Sequence, residues 1–336
     1  MSVDPAILEA LGLAADDART RIVSHGGSNF SSTFKLTATD DADERRDFFV
    51  KMGAGHEADL MFRGSLLTCA RAREHASLNA INDAVPGFCP RSHAHGALKS
   101  APGRFFLVTD FVDFSSSAAS SPGSRVSLAA RLAKLHTTPA PVPAGYDAPV
   151  FGFPESTFCG ETAQDNGWKT SWADFYANNR LRGILRACIA KNGPDTELAD
   201  AVERVAATVV PRLLGDGHLR PDIVPVVVHG DLWNGNHGMG RIGGKGDVEN
   251  VVFDPSAAYA HSEYELGIMR MFGGFGPDFW SEYHKLVHKA EPVAEWEDRI
   301  MLYELYHHLN HFAIFGGGYR GGAMTLLRKL TAKYAE

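Results

Sequence analysis

Two short β-branched runs, each ending on a carboxylate, constrain this chain more tightly than any other feature. Ile223-Val224-Pro225-Val226-Val227-Val228 reads as a buried strand that delivers HGDLWNGN, His229 to Asn236. A second run, Val251-Val252-Phe253, delivers Asp254-Pro255 eighteen residues after Asn236, across the glycine-rich turn Gly243-Gly244-Lys245-Gly246. Strands this short hold together only inside a larger body. The surrounding sequence supplies one, because residues 128–136, 172–192, 196–214 and 296–315 carry helical periodicity. Upstream the pattern is different. After a short helix over 5–13 come turn signals and extended runs. Gly26-Gly27-Ser28-Asn29 is a turn, Thr33-Phe34-Lys35-Leu36 alternates, and residues 40–43 read as an acidic hairpin loop. Phe48-Phe49-Val50-Lys51-Met52 is a strand, helical periodicity covers 57–81, and a further strand spans 105–112. SSSAASSPGS then reads as flexible surface just past a boundary. The expectation is an α+β protein with a small sheet-rich part over 1–112 and a larger, mostly helical part over 113–336.

Composition narrows the function classes. With 336 residues, 44% hydrophobic and 22% charged, the chain has the make-up of a globular protein large enough for two compact parts. A formal charge of −7 argues against a nucleic-acid partner or an anionic membrane surface. The first twenty residues lack a basic start and an apolar core, so a secretory leader is not expected. Cys69, Cys89, Cys159 and Cys188 lack Cys-x-x-Cys spacing, which favours a reducing, cytoplasmic setting over a disulfide framework. His93-x-His95 falls in a loop-like stretch, and His307, His308 and His311 lie on a helical pattern without a carboxylate set, so no transition-metal site is expected. Nothing bears on oligomeric state, and a monomer is assumed.

The chemistry sits at the strand ends. Asp231 and Asn236 have the spacing D-x-x-x-x-N. Phosphoryl transfer needs a carboxylate to take a hydroxyl proton and oxygen ligands for a divalent cation, and one such loop meets both needs. A polar turn whose Asp and Asn bond their own backbone is the equally weighted alternative for that loop alone. Asp254 offers the second oxygen ligand, with a strand-end turn as its alternative role. The small residues of HGGSNFSSTFKL let backbone amides approach phosphates, although taken by itself the stretch reads better as a plain hairpin turn. Lys51, on the following strand, is placed to reach α- and β-phosphates. The order of these elements, rather than any one of them, makes the set persuasive.

That order is the layout of the protein-kinase-like fold: bilobal, with a small antiparallel-sheet N-lobe and a larger helical C-lobe. The wording resembles the fructosamine-3-kinase/ketosamine-3-kinase family, relatives of the aminoglycoside phosphotransferases. It does so through FVK at 49–51, MFRG at 61–64, LAKLH at 132–136, FGF at 151–153 and HGDLWNGN at 229–236. It continues through FDPSAAYAHSEYELGIMRMFGGF at 253–275 and YHHLNHF at 306–312. The resemblance implies an enzyme using ATP and Mg²⁺ to phosphorylate the 3-hydroxyl of ketosamines, free or on glycated proteins. It implies Asp231 as base, Asn236 and Asp254 as metal ligands, and Lys51 paired with a helix glutamate at the phosphates. Gly26, Gly27, Ser28 and Asn29 would cover the nucleotide, and Asp110-Phe111-Val112 would meet adenine. Trp233, His261, Glu263, Asn310 and His311 are weaker substrate candidates. Trp233 serves equally as a core anchor, and Glu263 and Glu265 equally as charges at a helix start.

Two departures follow. Asn29 stands where some relatives carry a redox-active cysteine, so no redox switch is expected. The glutamate matching the lysine's partner is Glu74, displaced by the nine-residue insert SLLTCARAR, residues 65–73. Nine residues turn a continuous helix by roughly 180°. Either the insert bulges, or the helix begins later, or the ion pair is lost; the first two are expected. Aminoglycoside or other small-alcohol phosphorylation is a sibling alternative, and an ATP-binding pseudokinase scaffold one from another class.

Overall fold

A computed structural model describes residues 2–13, 19–28, 31–39, 44–54, 70–114, 126–244 and 246–334. The chain forms two compact units. One comprises Met1–Ser127 with His237–Asp254, the other Leu128–Asn236 with Pro255–Glu336.

The first unit begins with α1 (Pro5–Leu11), which starts where Asp4 accepts the Ala6 amide at 2.8 Å. Next come β1 (Thr20–Ser28), β2 (Ser31–Thr39), β3 (Arg45–Ala54), α2 (Ala70–Ala84), β4 (Ser92–Ala97), β5 (Arg104–Asp110) and the two-residue β6 (Val112–Asp113). The strands pair antiparallel in the order β1-β2-β3-β5-β4. Alternation along them buries Leu36 and Ala38 of β2, Phe48 and Val50 of β3, and Phe106 and Val108 of β5 in one core with Ile7 of α1. His93 and His95 lie in β4, not in a loop. That strand is rich in histidine and small residues and lacks the β-branched signal that marks its neighbours.

The second unit opens with α3 (Leu128–Thr137), followed by the hairpin β7 (Thr157–Cys159) and β8 (Thr162–Gln164). Then come α4 (Trp172–Phe175), α5 (Gly183–Asn192), α6 (Thr196–Arg204), α7 (Val210–Leu214) and β9 (Val226–Val228). The helices expected over 172–192 and 196–214 each contain a π-helical turn, Tyr176–Arg182 and Val205–Val209. The first turns both Asn179 and Arg180 inward, toward Gly167 and Asp165–Asn166. The second precedes Pro211, whose missing amide interrupts the regular ladder. The strand expected over 223–228 is ordered as a strand only from Val226. Pro225 lacks an N–H for pairing, and its carbonyl accepts Ala140 N instead.

After Asn236 the chain enters β10 (His237–Ile242) and β11 (Glu249–Val252), then β12 (Ala258–Ala260), α8 (Ser262–Phe272), α9 (Pro277–Leu286), α10 (Trp296–Phe315) and α11 (Tyr319–Tyr334). The β10–β11 hairpin belongs with the first unit because β10 also pairs with β6, Ile242 opposite Val112 and Arg241 opposite Asp113. The division therefore differs from a single cut after 112. β12 pairs with β9 inside the second unit. Among the described residues no helix is long and apolar enough to cross a membrane.

Candidate active site

In the first unit, β3 carries Lys51 between Thr33 of β2 and Leu107 of β5. Its ammonium lies 3.1 and 3.3 Å from the two carboxylate oxygens of Glu74, on α2, and 3.1 Å from Oδ1 of Asp254. The Lys51–Glu74 ion pair is thus formed despite the insert. Residues 65–69 lie outside the described residues, and α2 is described from Ala70, four residues before Glu74. Asp254 follows β11 with φ 54°, and among the described residues it is the one non-glycine with positive φ. Aspartate tolerates this region better than most residues, yet the conformation is sparsely populated and costs on the order of 1 kcal/mol. It turns the carboxylate out of the strand toward Lys51.

Gly26 occupies a bulge between Ser24 and Gly27 where the β1–β2 register shifts, with φ 72°. Thr33 donates to the carbonyl of His25 beside it at 2.6 Å. Gly27 and Ser28 complete β1, and Asn29 lies outside the described residues. Of the stretch expected at adenine, Phe111 has its backbone engaged already. Its N–H donates to Asp47 O at 3.3 Å, and its carbonyl accepts Gly243 N at 2.8 Å. The Asp110 carboxylate lies 2.6 Å from Nε2 of His93 and accepts Arg91 N. Val112 pairs in β6. The expected adenine role is therefore narrowed to the remaining backbone groups of this stretch.

In the second unit, β9 ends on His229 and the chain turns at Gly230, φ 80°. A side chain at Gly230 would meet the Ser256 carbonyl at 2.0 Å, so only glycine fits this close approach. Glu265 of α8, fully buried, accepts both backbone amides there, from His229 and from Gly230 at 3.0 Å. Burial pushes the Glu265 carboxyl up, but the neighbouring His136 and His229 and the His229 amide hold it below its usual range. His136 Nε2 is 3.7 Å from it. This carboxylate fixes the start of the loop. In the sequence it reads as a helix-start charge, because its partners are backbone groups thirty-five residues or more away.

Beyond the turn, Asn236 donates from Nδ2 to the Asp231 carbonyl at 2.8 Å and toward Oδ2 at 3.4 Å. Cys159 of β7 places its sulfur 3.9 Å from Asp231 Oδ1, and burial raises that thiol well above its usual value. Asn310 of α10 donates to the Cys159 carbonyl at 3.1 Å, so it stands behind Asp231 rather than beside it. Trp233 is 40% exposed and packs on Phe272 at 5.9 Å between centroids. It is therefore not a core anchor. Its ring lies over Gly235, where a Cβ would come within 2.1 Å of the indole.

Two substrate candidates are corrected. His261 is buried, its Nδ1 2.9 Å from Tyr303 OH, and burial lowers it to about 4. Glu263 is buried in an ion pair with Arg299, 2.7 Å, and also accepts Ala290 N. Both are structural, since neither polar group reaches the surface of the loop. His311 is partly buried, and its Nδ1 lies 2.8 Å from the carbonyl of His307, one turn back on its own helix.

With this geometry established, comparison with known proteins is informative. A family model described as fructosamine kinase matches residues 9–333. Mouse ketosamine-3-kinase is 39% identical over 181 residues, about half of each chain at 54%. A chloroplastic protein-ribulosamine 3-kinase of Oryza sativa subsp. indica is 33% identical over 280 residues, 83% of this chain and 71% of that one. Among solved structures, a candidate fructosamine-3-kinase from Thermobifida fusca matches with TM-score 0.71 at 24% identity over 98% of this chain and 99% of that one. An aminoglycoside phosphotransferase, APH(4)-Ia, matches with TM-score 0.54 at 12% identity, over 98% of each chain. Both structural likenesses speak for the kinase-like fold.

Proposed function

The chain belongs to the fructosamine kinase family and is a phosphotransferase of kinase-like fold, and on that premise we propose that it moves the γ-phosphoryl group of ATP to the 3-hydroxyl of a ketosamine. The observation that carries this reading is the loop from His229 to Asn236, whose first two amides are held by the buried Glu265 carboxylate while Asn236 bonds back to the Asp231 carbonyl across the loop. A polar corner needs no buried glutamate to position it. Asp231 orients the sugar hydroxyl and takes its proton as the new P–O bond forms. A sugar hydroxyl is a poor nucleophile, so positioning and charge stabilisation supply most of the rate. Lys51, braced by Glu74, steadies phosphate oxygens.

The donor set fits Mg²⁺. Asn236 spends its Nδ2 on Asp231, which turns its amide oxygen to other use, and Asp254 offers a half-exposed carboxylate already satisfied by a cation, Lys51. Two oxygen donors suit a metal that completes its shell with phosphate oxygens and water. Such an ion would supply charge neutralisation on the phosphates. The buried thiols Cys89, Cys159 and Cys188 are free. The test is Mg²⁺-dependent ADP release with ribulosyllysine, fructosyllysine and kanamycin as acceptors. Turnover of either ketosamine well above kanamycin is expected. Turnover of kanamycin alone would move the chain to the aminoglycoside branch, and ATP binding without turnover would make it a pseudokinase.

A further inference from the structure

The corner at Gly230 is braced twice, and the second brace has no part in the chemistry above. Ser256 donates its N–H to the His229 carbonyl at 2.8 Å, and its own carbonyl fills the space where a Gly230 side chain would stand. Asp231 is the next residue. The Ser256 hydroxyl donates at 2.7 Å to Oε1 of Gln164, on β8, ninety-two residues earlier in the chain. The same oxygen accepts Thr157 of β7 at 2.9 Å, and Gln164 Nε2 donates to the Tyr306 hydroxyl of α10 at 2.7 Å. Behind Thr157 the bonds continue. Asn166 donates to Thr157 Oγ1 at 2.8 Å and accepts Arg180 at 2.7 Å. None of these six residues is more than 4% exposed.

A buried polar chain is expensive unless its members find partners, and apolar side chains would fill this volume at less cost. What the polar chain adds is direction. Arg180 heads it with a charged donor, and each bond strengthens the next, from Asn166 to Thr157 to Gln164. Gln164 is the junction, since its one amide reaches β7, α10 and Ser256 together. Ser256 stands at the far end, with both backbone groups against the corner that precedes Asp231. A freely rotating hydroxyl would leave Ser256 anchored by its backbone alone. With the hydroxyl held as well, the corner cannot shift without breaking the chain. Geometry for attack tolerates little displacement, because a misplacement of about 1 Å costs on the order of 10²-fold in rate.

We propose that Gln164 is a positioning residue for phosphoryl transfer: acting through Ser256, it holds the Gly230 corner so that Asp231 meets the acceptor hydroxyl. The proposal rests on the phosphotransfer reading above and adds to it a buried residue outside the set assigned there.

The test uses four variants. Gln164→Met keeps the volume and removes the acceptor, Ser256→Ala removes the donor, and a third variant combines the two. Gln164→Glu supplies a carboxylate that accepts Ser256, Thr157 and Tyr306 alike. Single-turnover transfer from ATP to ribulosyllysine gives a rate constant that misfolded protein leaves unchanged, since misfolding lowers only the amplitude. Gln164→Met and Ser256→Ala should each lower that rate constant about thirtyfold, with steady-state KM for ATP and acceptor changed less than about twofold. The combined variant should be within about twofold of the slower single, because both break one link. Gln164→Glu should stay within about threefold of wild type. Hydrogen exchange over residues 229–231 should rise about tenfold in the slow variants and not in Gln164→Glu. Unchanged rate constants in both single variants would overturn the proposal. So would losses that multiply in the combined variant, or a Gln164→Glu as slow as Gln164→Met. Any of these in an active wild-type background sinks this proposal alone. A wild-type chain that transfers phosphate to no ketosamine would instead remove the reading above, and this proposal with it.

Discussion

The loop from His229 to Asn236 and the cluster of Lys51, Glu74 and Asp254 are both built around carboxylates, but by opposite means. The loop is held from behind. A fully buried glutamate accepts its first two amides, glycine is required at its corner, and Asn236 is pinned to Asp231. The cluster is held from the side by ion pairs between partly exposed groups, with Asp254 in a strained backbone conformation. Backbone amides donating to a buried carboxylate leave the loop little freedom, whereas long side chains in ion pairs can re-pair when a polyanion arrives. The loop is therefore preorganised, and the cluster is adjustable.

Breaking each region should give a different signature. Asp231→Asn should lower kcat by about 10³-fold in single-turnover assays while ADP binding, read by calorimetry, stays unchanged. Glu265→Gln leaves one loop amide without its acceptor, and should cost about 3 kcal/mol of stability in denaturant melts. Surviving enzyme should lose kcat with little change in the KM for ATP. That split would distinguish a positioning group from one that contacts nucleotide.

Acid should act on the second unit through His261. Its folded value, about 4, lies below the unfolded value of about 6.5, so the unfolded chain binds the proton first. Stability should fall as pH drops from about 6.5 toward 4, by about 3 kcal/mol in total, and His261→Gln should flatten that slope in pH-dependent melts. On the adjustable side, Glu74→Ala should raise the KM for ATP about tenfold with a smaller loss in kcat. Smallest of all, Gly235→Ala should push the Trp233 indole off its seat and raise the acceptor KM about threefold, leaving ATP kinetics alone.

Much of this was legible in the sequence where local pattern and tertiary role agree. α10 runs over Trp296–Phe315 as its periodicity and the following glycines indicate, Lys51 lies within its strand, and Asp231, Asn236 and Asp254 stand in the loop or just past a strand end, as expected. What was hidden depends on partners distant in sequence. Glu263 and Glu265 sit two residues apart at one helix start, yet one is paired with Arg299 and the other with backbone of the His229–Asn236 loop. Their burial is decided by which side of α8 faces β9, and no local signal separates them. His261 was misplaced for the same reason. β4 was hidden because pairing with β5, not its own composition, makes it a strand.

The most direct measurement of the central claim is the position of the transferred phosphate. The chain is incubated with Mg²⁺, ATP and carbon-13-labelled ribulosyllysine, and phosphorus–carbon coupling is read by NMR. The account predicts coupling that places phosphate on the 3-oxygen of the sugar, present with wild-type chain and lost with Asp231→Asn. Phosphate on any other oxygen, or an equal yield from Asp231→Asn, would contradict it.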